Sequence, residues 1–438
     1  MAGIRALLVI LFLLLLPLAA QAKAPSYTLQ KAVEHALEAN PTIEAKLLAI
    51  EKAQMDVLAT GGNFLPKVTL MWNRGRLENT GAVGTTEDYS NKSLSKGLRV
   101  QLSLFAGFMH LNSLGKSLLQ ASMEEARHEQ VRLELIGNVQ LHFLELLKAR
   151  EDMKTVKESK KRIETQLKAA KAFVDVGMAP QLNVLQNEVE MSKVQQQEIR
   201  VANTIRTTRA MLNKYLGYDA RADVNYTGSL KDFNGSVNYS EEEAIDMAMR
   251  NRPDLIIAHK SVAMALKQSH ITAGRYLPSV SAYYDNMRSS KVYTDEKTYS
   301  RDYARSYWGV GLNVSWDVFD GGQTTFTYIG DRKAAASLRK EYEDALASAR
   351  VAVISALLDI TAAKELITTS RKGVEAAQES YDMANRRYQT NVGTITEMLD
   401  AQVNLTKAEE DYSLALTEFH SARSKFFYNI GVENIGLK

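Results

Sequence analysis

Glu397 and Asp400 are the carboxylates whose spacing invites a chemical reading. They follow the short stretch Asn391-Val392-Gly393-Thr394 and stand three residues apart, so on a helix they share a face. Acidic side chains at such a place favour a helix N-terminus through the macrodipole. Gathered around a narrow passage, they would also draw in cations. No enzyme constellation accompanies them. The seven His form no H-x-x-H or H-E-x-x-H cluster. There is no G-x-S-x-G with a fitting His and Asp, and no phosphate-cradling G-x-x-x-x-G-K-S/T. Cys is absent, which removes disulfides, thiolate nucleophiles, Cys-ligated zinc and a lipid anchor on an N-terminal Cys. No catalytic residue, metal site or cofactor is expected, and His142 reads as a packing residue. With 54 basic against 51 acidic residues in 438, the net charge of +3 gives no reason to expect nucleic acid.

The elements that position these carboxylates begin after a leader. Arg5 precedes the apolar run Leu7 to Leu18, and Ala20-Gln21-Ala22 supplies a small-x-small cleavage pattern, so residues 1–22 read as a secretory signal peptide. No apolar run of about 18 residues is expected after Lys23, so membrane entry would have to use strands.

The remainder is a tandem duplication. Asn40-Pro41 recurs as Arg252-Pro253, and Phe64-Leu65-Pro66 recurs as Tyr276-Leu277-Pro278, both 212 residues on. Phe105-Ala106-Gly107 recurs as Phe319-Asp320-Gly321, and Val184-Leu185 as Met398-Leu399, both at 214. Four matches in order at a nearly constant offset define two copies of one large unit. The first copy spans 23–216 and the second 240–430. A connector, 217–239, joins them and a tail, 431–438, follows.

Each copy predicts short helices, two strands and a long helical hairpin, 107–216 and 321–430. Residues 107–176 and 321–390 contain no proline. Heptads run through them. Leu346, Val353, Ile360, Ile367, Val374, Tyr381 and Tyr388 take one seam position, after Arg339 as its exception, and Tyr342, Ala349, Ala356, Ala363, Ser370, Ala377 and Ala384 fall on the other. The last helix adds Met398, Leu405, Tyr412, Phe419 and Phe426 opposite Ala401, Ala408, Ala415 and Ala422. A seven-residue period of large and small residues predicts left-handed, antiparallel coiled-coil packing.

Strands are expected at about 67–77, 94–105, 279–291 and 307–318. In the last, Trp308, Val310, Leu312, Val314, Trp316 and Val318 alternate with Gly309, Gly311, Asn313, Ser315 and Asp317. In the second, Leu94, Leu98, Val100, Leu102 and Leu104 share a face, with Lys96 the exception. All three Trp lie in these segments. Apolar-out, polar-in strands of about ten residues with aromatics near their ends fit a membrane β-barrel whose apolar row faces lipid. Four strands cannot close a barrel, so chains must share one: two would give eight strands and three would give twelve.

The chain resembles the TolC family of outer-membrane efflux and secretion channels. The likeness rests on Asn40-Pro41, Arg252-Pro253, the two Leu-Pro boundaries, Phe319-Asp320-Gly321-Gly322, and above all Tyr388 through Asn391, Thr394 and Leu399-Asp400-Ala401-Gln402. It implies a mainly α homotrimer with a 12-stranded outer-membrane barrel, four strands per chain, continuing into an α-helical tunnel. The implied partners are outer-membrane lipid, a periplasmic adaptor and an inner-membrane transporter. The expected function is the exit duct of a tripartite efflux pump. The outer-membrane channel of a type I secretion system and, lower, a periplasmic coiled-coil adaptor are the alternatives. The turns holding Gly177 and Asn391 would form the periplasmic tip, and Glu397 and Asp400 the acidic ring of its gate. Tyr388 would be a latch, but Asn183 stands where the family has an acid and Gly393 where it has an arginine.

Overall fold

The computed structural model describes residues 25–79, 89–231, 237–295, 300–390 and 392–437. The expected signal peptide lies outside the described residues. In order the elements are β1 (Ser26–Tyr27), α1 (Leu29–Ala39), α2 (Pro41–Gly61), β2 (Lys67–Asn79), β3 (Tyr89–Ala106), α3 (Met109–Asp175) and α4 (Gln181–Tyr215). Then follow β4 (Asn225–Tyr226), α5 (Glu241–Asn251), α6 (Pro253–Ala273), β5 (Ser279–Asp295), β6 (Ser300–Ser315), α7 (Gln323–Gln389) and α8 (Ile395–Asn429). The chain is mainly helical and divides into two compact units.

One unit comprises residues 44–130 and 252–348. It holds a four-stranded antiparallel sheet in the order β2-β3-β5-β6. Rows run straight across it: Val68 opposes Val100, Val100 opposes Tyr284, and Tyr284 opposes Val310. The strands reach further at their polar ends than alternation suggests. Asn79 still pairs with Tyr89, and Thr294 with Ser300. The backbone ladder continues there although the apolar signal has stopped.

At the other end β6 stops at Ser315, short of the expected 318. Its last pair is Ser315 with Ser279, and the residue before Ser279 is Pro278, which has no N–H to extend the ladder. Trp316 and Val318 therefore lie beyond the strand, and the Trp316 indole donates instead to the carbonyl of Tyr276 at 3.0 Å. A register shift between Ser103 and Phe105 also breaks the expected row of β3, so that Phe105, not Leu104, opposes Val280. The start of α3 and the end of α6 meet backbone to backbone. Gly107 has φ +59°, and a Cβ there would sit 2.0 Å from the carbonyl oxygen of Gly274.

The other unit comprises residues up to Ile43, 131–251 and 349–438. Leu29, Ala32, Val33 and Ala36 line one face of α1 at helical spacing and are buried. They cover Val139, Phe143, Leu146 and Leu147 of α3 together with Leu212 of α4 and Tyr226 of β4. The connector is not merely a link, because its β4 pairs in parallel with β1. α1 stops where Pro41 forces Asn40 into extended backbone, and the Asn40 amide donates to Tyr215 O at 2.8 Å.

α3 and α7 each have 67 residues, about 100 Å at 1.5 Å per residue. Most of the small seam positions are buried, Ala349, Ala356 and Ala363 in α7 and Ala401, Ala415 and Ala422 in α8, whereas Ala377, Ala384 and Ala408 are partly exposed. α3 buries Leu135, Ala149, Val156, Ile163 and Ala170 but leaves Met153, Leu167 and Val174 partly exposed. These three, spaced in multiples of seven, mark a row of α3 that is incompletely covered within this chain. One sequence expectation fails outright. α7 carries an 18-residue stretch of mean hydropathy 1.6, long and apolar enough to cross a membrane by length and composition.

Candidate functional site

Two hairpin turns, α3–α4 and α7–α8, bring together most of the residues singled out above. Gly177, at φ +75°, ends α3: its N–H donates to Val174 O at 2.9 Å and that of Met178 to Phe173 O at 2.8 Å. That pair of bonds satisfies the last carbonyls and needs a residue at home in the left-handed region. In the second hairpin the N–H groups of Val392 and Gly393 both donate to Arg387 O at 2.9 Å. Asn391 lies outside the described residues. Thr394 starts α8 as its N-cap, its hydroxyl accepting from Glu397 N at 3.2 Å.

Beneath the turn, Tyr388, Ile395, Met398, Leu399 and Leu405 form a buried cluster. The Tyr388 ring meets Phe173 edge-on, centroids 6.1 Å apart. Its hydroxyl is buried and makes no hydrogen bond among the described residues. Burial pushes the phenol's pKa up, and Asn183, close by but outside hydrogen-bonding geometry, pulls it back a little. Tyr388 therefore packs in this cluster with its hydroxyl unbonded among the described residues.

Glu397 and Asp400 are both exposed, on either side of the buried Met398 and Leu399. Glu397 faces Arg387 of α7, 3.9 Å away. Position 393 is glycine, and the cation beside Glu397 comes from one helical turn before the loop. Both partners are about half exposed, so the pair is worth under about 1 kcal/mol. Asp400 instead lines a groove between α4 and α8 with Leu182 and Leu185. The two carboxylates thus lean towards different helices.

Sequence reasoning missed a polar seam behind the tip. Gln166 donates to the Tyr381 hydroxyl at 3.1 Å, and Gln402 to Ser159 Oγ at 3.1 Å, all four buried. Arg162 reaches Glu409 at 3.3 Å. Burial raises the pKa of Glu409, and Arg162 opposes that rise. The available signal was the run Ser159, Arg162 and Gln166 around the seam residue Ile163. His142 stacks on Tyr215 and bonds Glu145 at 2.8 Å. No cluster of potential metal ligands occurs among the described residues.

The model of the family described as "Outer membrane efflux protein" matches residues 32–218 and again 244–426. The outer membrane protein TolC of Vibrio cholerae is 22% identical over 348 residues, 75% of this chain and 76% of that protein. The alkaline protease secretion protein AprF of Pseudomonas aeruginosa is 23% identical over 418 residues, covering 90% and 83%. Among solved structures, the outer-membrane channel OprN superposes with a TM-score of 0.79 at 18% identity, covering 92% of this chain and 90% of that one.

Proposed function

The chain belongs to the outer membrane efflux protein family, a family of Gram-negative outer-membrane channels and not of enzymes, and from that premise we propose that it is the exit duct of a tripartite efflux pump. Three copies share a 12-stranded barrel, and their hairpins form the wall of a tunnel. A periplasmic adaptor and an inner-membrane transporter deliver small molecules to it, and the duct itself is passive.

The open sheet carries this reading. Leu70, Trp72, Trp308, Val310, Leu312 and Val314 are all well over half exposed. An apolar face of that kind is at home in lipid, but among the described residues β2 and β6 have no outer neighbour, and unpaired edges are not tolerated there. Another copy supplies the missing neighbours. α4 and α7 likewise leave apolar side chains uncovered, Ile199, Val351 and Leu358 among them. That accounts for the apolar stretch of α7 without a membrane crossing: it is a stave awaiting the next chain's stave. Glu397 and Asp400, repeated three times, ring the periplasmic entrance.

Purified protein in detergent should have the mass of three chains and form pores in planar bilayers. A monodisperse monomer with intact strand content overturns the shared barrel. One observation favours a second reading, the channel of a type I protein secretion system: the relative AprF is named for alkaline protease secretion. Deletion of the gene separates the two. Accumulation of small toxic compounds supports efflux, and loss of a secreted protein supports secretion.

A further inference from the structure

A groove of about 750 Å³ lies between α3, α7 and α8, within one compact unit. Its volume is that of a small-molecule site. Leu141 of α3, Ala362 and Leu366 of α7 and Ala422 of α8 give it an apolar floor, and Leu141 and Leu366 are exposed there. Three carboxylates, Glu134, Asp359 and Glu418, line it against one ammonium, Lys425. Lys425 sits 3.3 Å from Asp359, which engages it.

The groove opens on the face of α3 and α8 turned away from α1, β1 and the connector. Ile136 and Phe143 of α3 are buried under α1 and β4. Glu134 and Leu141 are each two residues away from them, about 200° around a helix of 3.6 residues per turn. On α8 the buried His420 bonds Leu230 of the connector, and Glu418 is again two residues removed. Helix geometry and packing therefore put α1, β1 and the connector on one side of α3 and α8 and the groove on the other.

We propose that this groove is a binding site for amphipathic organic cations in the inner wall of the duct. The proposal rests on the duct reading, with the face opposite α1, β1 and the connector turned to the lumen. An apolar body would occupy the space over Leu141, Ala362 and Leu366, and its positive charge would sit near Glu134 and Glu418. The carboxylate excess selects cations over anions of the same shape, and the open geometry allows release, as a wall site in a passive conduit requires.

The test uses tetraphenylphosphonium and tetraphenylborate, which match in size and apolar surface and differ in charge. Their binding to the detergent-purified protein is measured by equilibrium dialysis against matched micelles, with pore formation and mass recorded for each variant. Tetraphenylphosphonium should bind the wild type more tightly than tetraphenylborate. The double variant E134Q/E418Q should weaken phosphonium binding about tenfold, the combined effect of two partly screened charge contacts. Ala362→Trp, which fills the groove from an exposed position, should weaken both ions. Equal phosphonium binding in wild type and both variants overturns the site while pores persist, and the duct reading then stands. Equal affinity for the two ions in the wild type also overturns it, since apolar adsorption would suffice. If Ala362→Trp breaks the three-chain mass and E134Q/E418Q leaves binding unchanged, the groove is a contact between copies and the proposal falls. A wild type that forms no pores refutes the duct reading, and the site with it.

Discussion

Removing the hydroxyl of Tyr388 distinguishes packing from latching at the tip. The side chain is 6% exposed, and its hydroxyl finds no partner among the described residues. A buried polar group without a hydrogen bond costs about 1–3 kcal/mol, and a hydrogen bond to a neutral partner returns about 1 kcal/mol. Tyr388→Phe keeps the ring against Phe173 and discards the desolvated oxygen. It should leave stability unchanged or raise it by about 1 kcal/mol. Tyr388→Ala empties a seam position between Tyr381 and Ile395 and should cost about 3–5 kcal/mol. Burial also raises the phenol's pKa, so the folded state holds its proton more tightly than the unfolded state. Stability from this group is complete below the ordinary value near 10 and is lost as pH rises through the raised one. The wild type should therefore weaken in alkali more than Tyr388→Phe does. Thermal unfolding in detergent from pH 7 to 11 measures the energetics, and single-channel conductance reads the gate. A Phe variant that loses more than about 1 kcal/mol, or conducts several-fold more than wild type, would show that the hydroxyl does make a latch bond.

Leu312→Arg should impair membrane assembly, because a charge near the bilayer midplane costs about 2–4 kcal/mol. Asn313→Arg, on the opposite face of β6, should assemble well; equal yields of folded oligomer from both would show the face assignment to be wrong. Changing Glu397 and Asp400 together to Ala should reduce cation selectivity and block by multivalent cations from the periplasmic side, with the oligomer intact. Wild-type selectivity in that variant would reduce both residues to helix-terminus acids. Burial lowers the His420 pKa to about 4, against a hydrogen bond to Leu230 O that raises it, with Arg423 lowering it further. Its neutral form is worth on the order of 3 kcal/mol above pH 6.5, and that stability is lost as pH falls through about 4. His420→Gln should flatten the acid limb of the melting profile, and an unchanged limb would rule His420 out.

Periodicity made the long elements legible. Seven-residue spacing of Val353, Ile360 and Ile367 is a property of one helix's surface, so it identifies α7 before any partner is known. The alternation Trp308 to Val314 does the same for β6, because neighbouring side chains on a strand must take opposite faces. Asn40-Pro41 announced a helix boundary for an equally local reason: proline constrains the residue before it. The carboxylates Glu397 and Asp400 could be found by spacing, but not the direction in which each leans.

What the sequence withheld depends on meetings between distant segments. Trp316 continues the alternation, yet β6 stops before it because its neighbour starts after Pro278, 38 residues earlier in the chain. The two-residue strands β1 and β4 are too short to have a period, and exist only because the connector returns to the N-terminal segment. Arg387 could not be assigned to Glu397 from a ten-residue separation, since the turn between them sets which way the second helix points. Gln166 and Ser159 read as ordinary polar residues until α7 and α8 bury them. Local stereochemistry fixes elements one at a time, whereas hydrogen-bond partners, burial and electrostatic neighbours are chosen only when the chain brings those elements together.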